Sequence, residues 1–219
     1  MIIFLILAAA VLPTAYFVLG QAKFGKAPSG ERLERILKSP HYKNGKFNNL
    51  NPTPQLAEDT SMPEIMFRFL FGKTPDKRPA QEFHFQKTDL KKLDPSQNAY
   101  VWMGHSSYFM QIDGKKILVD PVLSGYASPF SFTGKAFRGT DLYKPEDIPE
   151  LDYLIITHDH WDHLDYKTVL KLFPKTKKII TGLGTAEHLE YWGYNPKDIV
   201  ELDWFESSDL GDGFKVTAE

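Results

Sequence analysis

Residues 154–166 read Leu-Ile-Ile-Thr-His-Asp-His-Trp-Asp-His-Leu-Asp-Tyr, and the interpretation of the whole chain starts from this stretch. An apolar, β-branched run typical of a buried strand leads directly into three histidines and three aspartates within eight residues. Imidazole nitrogens and carboxylate oxygens are the ligands that zinc and similar divalent metals prefer. The stretch therefore predicts a metal site at the end of a strand.

The spacing within this stretch predicts how the ligands divide. In an extended segment the side chains of His158 and His160 share a face and can point at one ion. If the chain then turns into a helix, Asp162 and His163 lie together in its first turn and can reach a second ion. The pattern favours a two-metal hydrolytic centre. The alternative is a polar loop whose histidines are satisfied by hydrogen bonds, which the density of the run disfavours.

Composition excludes several classes of protein. The 219 residues are 42% hydrophobic, which is enough for a substantial core. The net charge is -2, and neither a basic stripe nor a Gly-rich phosphate loop is present, so we expect no nucleic-acid partner. The absence of cysteine excludes disulfides, thiolate metal sites and cysteine nucleophiles, and leaves the cellular compartment open.

Residues 1–20 are apolar and uncharged, and their length predicts a transmembrane anchor or an uncleaved signal. A cleaved signal peptide usually begins with basic residues, and none precedes this run. The basic residues follow it instead, beginning with Lys23 and Lys26, which favours a membrane-anchored protein on the cytoplasmic face over the periplasmic or extracellular side. A buried helix of a soluble protein is the alternative.

The rest of the chain divides into an N-terminal extension (21–93), which is irregular with short helices, and a compact domain (94–219). The domain begins with short strands around the hairpin signal Asp113-Gly114. Later strands alternate with helices predicted at Tyr166–Phe173 and Thr185–Trp192, which indicates the α/β or α+β class. The Gly- and aromatic-rich loop 124–143 either lines a substrate pocket or packs against the core.

On these residues the chain resembles the metallo-β-lactamase fold superfamily and, within it, the N-acyl-phosphatidylethanolamine-hydrolysing phospholipase D group. The similarity runs from about residue 99 onward. The segments that carry it are Val101–Ser107, Val119–Pro121, Ala127–Pro129, Leu154–Tyr166 and Glu201–Glu206.

The resemblance implies an αββα sandwich with two zinc ions at one edge. His158 and His160 would match ligands of the first ion, and Asp162 and His163 would match ligands of the second. Asp162 is also the candidate catalytic residue. Three further residues would lie close by and orient the imidazoles: Asp120, Asp165 and His105.

The activity that the resemblance implies is hydrolysis at phosphorus, which would release phosphatidic acid and an N-acylethanolamine. Family members need further ligands from the second half of the fold, so the chain is expected to be truncated to about the first half of the domain. The implied partners are a phospholipid substrate and the membrane, and the sequence permits a homodimer. Two alternatives stay open: a lactonase or phosphodiesterase of the same fold that acts on a soluble phosphorylated substrate, and a truncated, non-catalytic, membrane-tethered metal-binding fragment.

Overall fold

The computed structural model describes residues 2–51, 53–54, 56–72 and 78–219, and of residues 2–10 it describes only the backbone. The helices are α1 (Ile2–Leu19), α2 (Gly30–Lys38), α3 (Met62–Phe71), α4 (Tyr166–Leu172) and α5 (Ala186–Tyr191). The strands are β1 (Tyr42–Lys43), β2 (Lys46–Phe47), β3 (Ala99–Gly104), β4 (Ser107–Ile112), β5 (Lys115–Val119), β6 (Leu151–Ile156), β7 (Thr176–Gly182), β8 (Ile199–Leu202), β9 (Ser207–Gly211) and β10 (Phe214–Thr217).

The domain is built on one six-stranded mixed sheet in the order β3-β4-β5-β6-β7-β8. Strands β3 to β5 form an antiparallel meander, and β5 to β8 are parallel. The turn between β4 and β5 has Asp113 at φ 46° and Gly114 at φ 76°, which is the left-handed geometry that tight hairpins require. The predicted mixed α/β class is confirmed.

This strand order brings distant parts of the chain to one edge. Strand β4 is antiparallel to both of its neighbours, so β3 and β5 run in the same direction, and β6 runs parallel to β5. The carboxyl ends of β3, β5 and β6 therefore lie at the same edge of the sheet. These ends lead directly into His105, Asp120 and Thr157, and the carboxyl edge is where ligands bind in sheets of this type.

Both faces of the sheet are covered, but by different structures. Helices α4 and α5 pack on one face, where Val169 and Leu189 join the main core around Leu154. On the other face Tyr153 and its neighbours pack against the hairpin β9–β10 through Phe214. The described residues thus contain one helical layer, one six-stranded sheet and two strands beyond it. The complete αββα sandwich goes beyond this observation and stays a prediction.

The N-terminal extension packs against the domain through its first part. The Trp192 indole N–H donates to the carbonyl of Ala22 at 2.8 Å, and Arg32 of α2 forms ion pairs with the domain. Positions 52, 55 and 73–77 of the predicted extension lie outside the described residues. The domain boundaries at residues 20 and 93 stay predictions.

The predicted membrane anchor over residues 1–20 is wrong. Within the part of the chain that the structure describes, no helix is both long enough and apolar enough to span a bilayer. Helix α1 has 18 residues and contains Pro13. The cytoplasmic-face location, which rested on this anchor, is withdrawn with it.

Candidate metal centre

The histidine-rich stretch forms a tight turn between β6 and α4. The His163 amide donates to the carbonyl of His160 at 2.9 Å, and the Leu164 amide donates to the same carbonyl at 2.7 Å. This turn folds His163 back beside His158, so that their ring centroids are 3.8 Å apart. The His158 and His160 rings lie 4.7 Å apart. The local fold therefore places the three imidazoles beside one another.

A second strand end adds a ligand candidate that is distant in sequence. His105 follows β3, and its Nε2 lies 2.9 Å from Oδ2 of Asp162, 57 positions along the chain. One ligand atom from each of His105, Asp162 and His163 lies within 4.8 Å of the other two. Ligands that share a tetrahedral zinc ion are roughly 3.4 Å apart. These nitrogen and oxygen donors therefore fit a divalent metal after small side-chain shifts.

The pKa values of His158 and Asp162 favour the protonation states that bind metals. Burial, together with the charges of His163 and His160, lowers the pKa of His158 below its ordinary value of 6.5. Burial raises the pKa of Asp162, but the hydrogen bond from His105 and the nearby imidazoles outweigh it, so this pKa lies below 3.8. At neutral pH His158 is therefore uncharged and Asp162 ionised, which are the forms that bind metals.

Asp120 lies beneath the imidazoles, and its side chain is only 4% exposed. Its Oδ1 accepts the Thr157 amide at 2.8 Å, and its Oδ2 lies 2.7 Å from the Thr157 hydroxyl and 2.8 Å from Nδ1 of His163. Its backbone has φ 42°, a left-handed conformation that aspartate tolerates better than most residues. Ser107 supports this strained residue by donating to its carbonyl at 2.7 Å.

Asp165 has contacts of another kind. It is the N-cap of α4, where its Oδ1 accepts the Lys167 amide at 3.2 Å. Its Oδ2 accepts the Ser124 amide at 3.0 Å and the Thr168 hydroxyl at 2.6 Å. These contacts hold the loop after β5 against α4. They differ from the contact that was predicted for Asp165, which was with an imidazole of the centre.

Two cavities flank the centre. An apolar cleft of about 620 Å³ includes Thr157 and His158 in its wall, together with Leu33 and Ile36 of α2. A smaller pocket of about 210 Å³ adjoins Trp161. Aromatic residues of the loop 124–143 form part of its wall, together with two lysines, Lys23 and Lys167.

Sequence reasoning missed two residues of the centre, Thr157 and Ser107. Both are small hydroxyl residues at strand ends, and the sequence pattern gives them the appearance of simple strand termini. The one available signal was position: Thr157 directly precedes His158, and Ser107 is two residues from His105. Their hydrogen bonds depend on the pairing of β5 with β6 and of β4 with β5, which the sequence does not show.

Comparison with known proteins identifies the class. Residues 115–219 match the family model described as beta-lactamase superfamily domain. The resemblance to the metallo-β-lactamase fold superfamily is confirmed.

Individual relatives are similar to different lengths of this chain. An uncharacterized protein of Mycobacterium tuberculosis is 33% identical over 173 residues, which is 78% of this chain and 46% of that protein. The N-acyl-phosphatidylethanolamine-hydrolyzing phospholipase D 1 of Caenorhabditis elegans is 36% identical over 116 residues, 50% of this chain and 32% of that protein. A UPF0173 metal-dependent hydrolase of Aeropyrum pernix is 38% identical over 63 residues, 29% of this chain and 21% of that protein.

Among solved structures, the chain is similar to CmlA, a diiron β-hydroxylase from Streptomyces venezuelae. The identity is 29% and the TM-score 0.40, over 52% of this chain and 22% of that one. The chain spans less than half the length of the curated relatives described above.

Proposed function

We propose that the protein containing this chain is a zinc-dependent hydrolase that cleaves phosphodiesters in the manner of a phospholipase D, with N-acyl-phosphatidylethanolamine-like lipids as substrates. The main support for a metal-dependent reaction is the convergence of His105, Asp162 and His163, whose ligand atoms lie within 4.8 Å of one another. The similarity to the Caenorhabditis elegans phospholipase D and to a metal-dependent hydrolase supports the same class of reaction.

In this proposal His158 and His160 hold one metal ion, and Asp162 and His163 hold the other. Bound zinc lowers the pKa of water toward neutrality and neutralises negative charge on phosphoryl oxygens. Asp162, whose lowered pKa keeps it ionised at neutral pH, would accept a proton from the attacking water. Addition of one water across the P–O bond yields phosphatidic acid and an N-acylethanolamine.

The apolar cleft favours a lipid over a soluble substrate. Its volume of about 620 Å³ is ample for part of an acyl chain, and its wall includes His158, a proposed metal ligand. Leu33, Ile36 and Phe47 from the N-terminal extension contribute apolar surface to it. A lipid bound in this cleft would have its apolar part beside the metal centre.

A soluble phosphorylated substrate is the second candidate, and the smaller pocket favours it. Lys23 and Lys167 both line this pocket of about 210 Å³, and ammonium groups attract phosphate. Each lysine also lies over an aromatic ring, Lys23 at 4.8 Å from the Phe130 centroid and Lys167 at 5.3 Å from that of Tyr126. The wall of this pocket includes Trp161 and Asp165 but none of the four proposed metal ligands, whereas the apolar cleft includes His158, so we place the lipid first.

The test uses the protein expressed from its complete coding sequence. Its metal content is measured, and its hydrolysis of N-acyl-phosphatidylethanolamine in detergent micelles is compared with that of bis(p-nitrophenyl) phosphate. We expect bound zinc, with the lipid as the better substrate, and loss of both metal and turnover in His160→Ala and Asp162→Ala. Preference for the soluble ester supports the second candidate. Stoichiometric metal with no turnover of either probe supports a non-catalytic metal-binding protein, and iron in place of zinc refutes the proposed metal.

A further inference from the structure

The Thr157 side chain lies between the buried carboxylate and the first histidine of the motif. Its Oγ1 is 2.7 Å from Oδ2 of Asp120 and 3.0 Å from Nδ1 of His158. The contact between this Oγ1 and Nδ1 of His163 is longer, at 3.4 Å, and His163 has a closer partner in Asp120 at 2.8 Å. Thr157 thus links Asp120 to His158, whereas His163 contacts the carboxylate directly.

The direction of these hydrogen bonds follows from the number of protons. An ionised carboxylate only accepts, so the contact of 2.7 Å requires the Thr157 hydroxyl to donate its single proton to Asp120. The hydroxyl oxygen can then only accept from His158, and Nδ1 of His158 must carry a proton. The opposite arrangement, with the hydroxyl donating to His158, would leave two oxygen atoms in close contact without a proton between them.

We infer that Thr157 is a positioning residue that relays the Asp120 carboxylate to His158, which keeps the His158 proton on Nδ1 and leaves Nε2 available as a metal ligand. The same carboxylate fixes His163 directly, with its proton on Nδ1 and its Nε2 toward Asp162. One buried aspartate would therefore set the tautomer of a ligand for each proposed ion, in one case through a hydroxyl group. This inference rests on the metal centre of the proposed function.

The test compares three variants of the complete protein. Thr157→Val keeps the shape of the side chain and removes the hydroxyl, whereas Thr157→Ser keeps the hydroxyl. Thr181→Val is the matched control, because Thr181 pairs with Ile156 in the same sheet and its buried hydroxyl has no hydrogen-bond partner among the described residues. Zinc affinity is measured by competition with a chromophoric chelator, and thermal unfolding shows that each variant is folded.

We expect Thr157→Val to weaken zinc binding about tenfold, at the lower end of the range for residues that orient metal ligands, because Thr157 is exposed and water replaces part of its contact. Thr157→Ser should bind within about threefold of the wild type, and Thr181→Val should match it. Equal affinity in Thr157→Val and wild type would overturn the inference. A Thr157→Ser variant that binds zinc as weakly as Thr157→Val would also overturn the inference, because a hydroxyl group at this position would then not be enough to support zinc binding.

Nitrogen-15 NMR of the metal-free protein tests the tautomer separately. The His158 resonances, identified by their loss in His158→Gln, should show a proton on Nδ1 in the wild type. A proton on Nε2 of His158 in the wild type contradicts the relay. If the wild type binds no zinc but shows the expected tautomer, the proposed function fails and the relay stands.

Discussion

Arg32 provides a quantitative test of how the N-terminal extension is held to the domain. Its guanidinium contacts three glutamates more than 150 positions away, with Nη1 2.6 Å from Glu187, Nε 3.0 Å from Glu201, and Nη2 bonded to Glu190. The Arg32 side chain is only 17% exposed. We expect Arg32→Met, which keeps most of the apolar length and removes the charge, to destabilise this attachment.

The size of the effect follows from the contacts that remain. Hydrogen bonds to charged groups contribute about 1.5–3 kcal/mol each, but three bonds from one side chain do not add. After the substitution Glu187 keeps Lys26 at 3.0 Å, and Glu201 keeps the Gly184 amide at 2.8 Å. We therefore expect a loss of about 2–3 kcal/mol in the free energy of unfolding. With a urea m-value of about 2 kcal/mol per M, the midpoint falls by about 1–1.5 M.

The pH dependence distinguishes ion pairing from packing. Burial raises the pKa of Glu187, but hydrogen bonds from Lys26, Arg32 and Ser29 outweigh it and lower this pKa from 4.5 to about 2. The stabilisation by a carboxylate with a lowered pKa is complete above pH 4.5 and is lost as the pH falls toward 2. The difference between wild type and Arg32→Met should therefore be largest at pH 7 and smaller at pH 3.

The assay is urea unfolding at both pH values, with hydrogen exchange of residues 30–38 to detect local release of α2. Arg68→Met is the control, because Arg68 forms an exposed helical pair with Glu64 and its loss should cost less than about 0.5 kcal/mol. The reasoning is refuted if Arg32→Met unfolds at the wild-type midpoint, or if its loss at pH 3 equals that at pH 7. Because Leu33 and Ile36 of α2 line the apolar cleft, release of α2 would also open the cleft beside His158.

Three further outcomes are expected. Phe109→Ala, at a fully buried position of β4, should lower the free energy of unfolding by about 3–5 kcal/mol in urea titrations, and a loss under 1 kcal/mol would contradict the described core. Zinc at 100 times its Kd should stabilise the wild type by about 2.7 kcal/mol in thermal unfolding, and Asp162→Ala should lose this gain; an undiminished gain would remove Asp162 from the site. Leu33→Glu should reduce turnover of long-chain lipids in micelles and spare bis(p-nitrophenyl) phosphate, whereas equal effects on both substrates would exclude the cleft as the lipid site.

Much of the domain follows from local sequence. The short strands predicted on either side of the Asp113-Gly114 signal are β4 and β5, and this signal predicts the turn that joins them, because left-handed backbone is confined to few residue types. Helix α4 begins and ends within one residue of the predicted range 166–173. Residues 1–20 show where such reasoning fails: the predicted helix forms over Ile2–Leu19, but no helix among the described residues is both long and apolar enough to span a bilayer.

The sequence by itself determined the candidate ligands of the centre, because His158, His160, Asp162 and His163 fall in one segment and their donor types and spacing require no knowledge of the fold. The resemblance already placed His105 and Asp120 near them, but only the tertiary structure decided which contacts these two residues make. His105 and Asp120 reach the centre because β3, β5 and β6 end at the same edge of one sheet, and strand order is a property of long-range pairing. The contact of Thr157 with Asp120 arises from the same pairing, which joins two strand ends that are 37 positions apart.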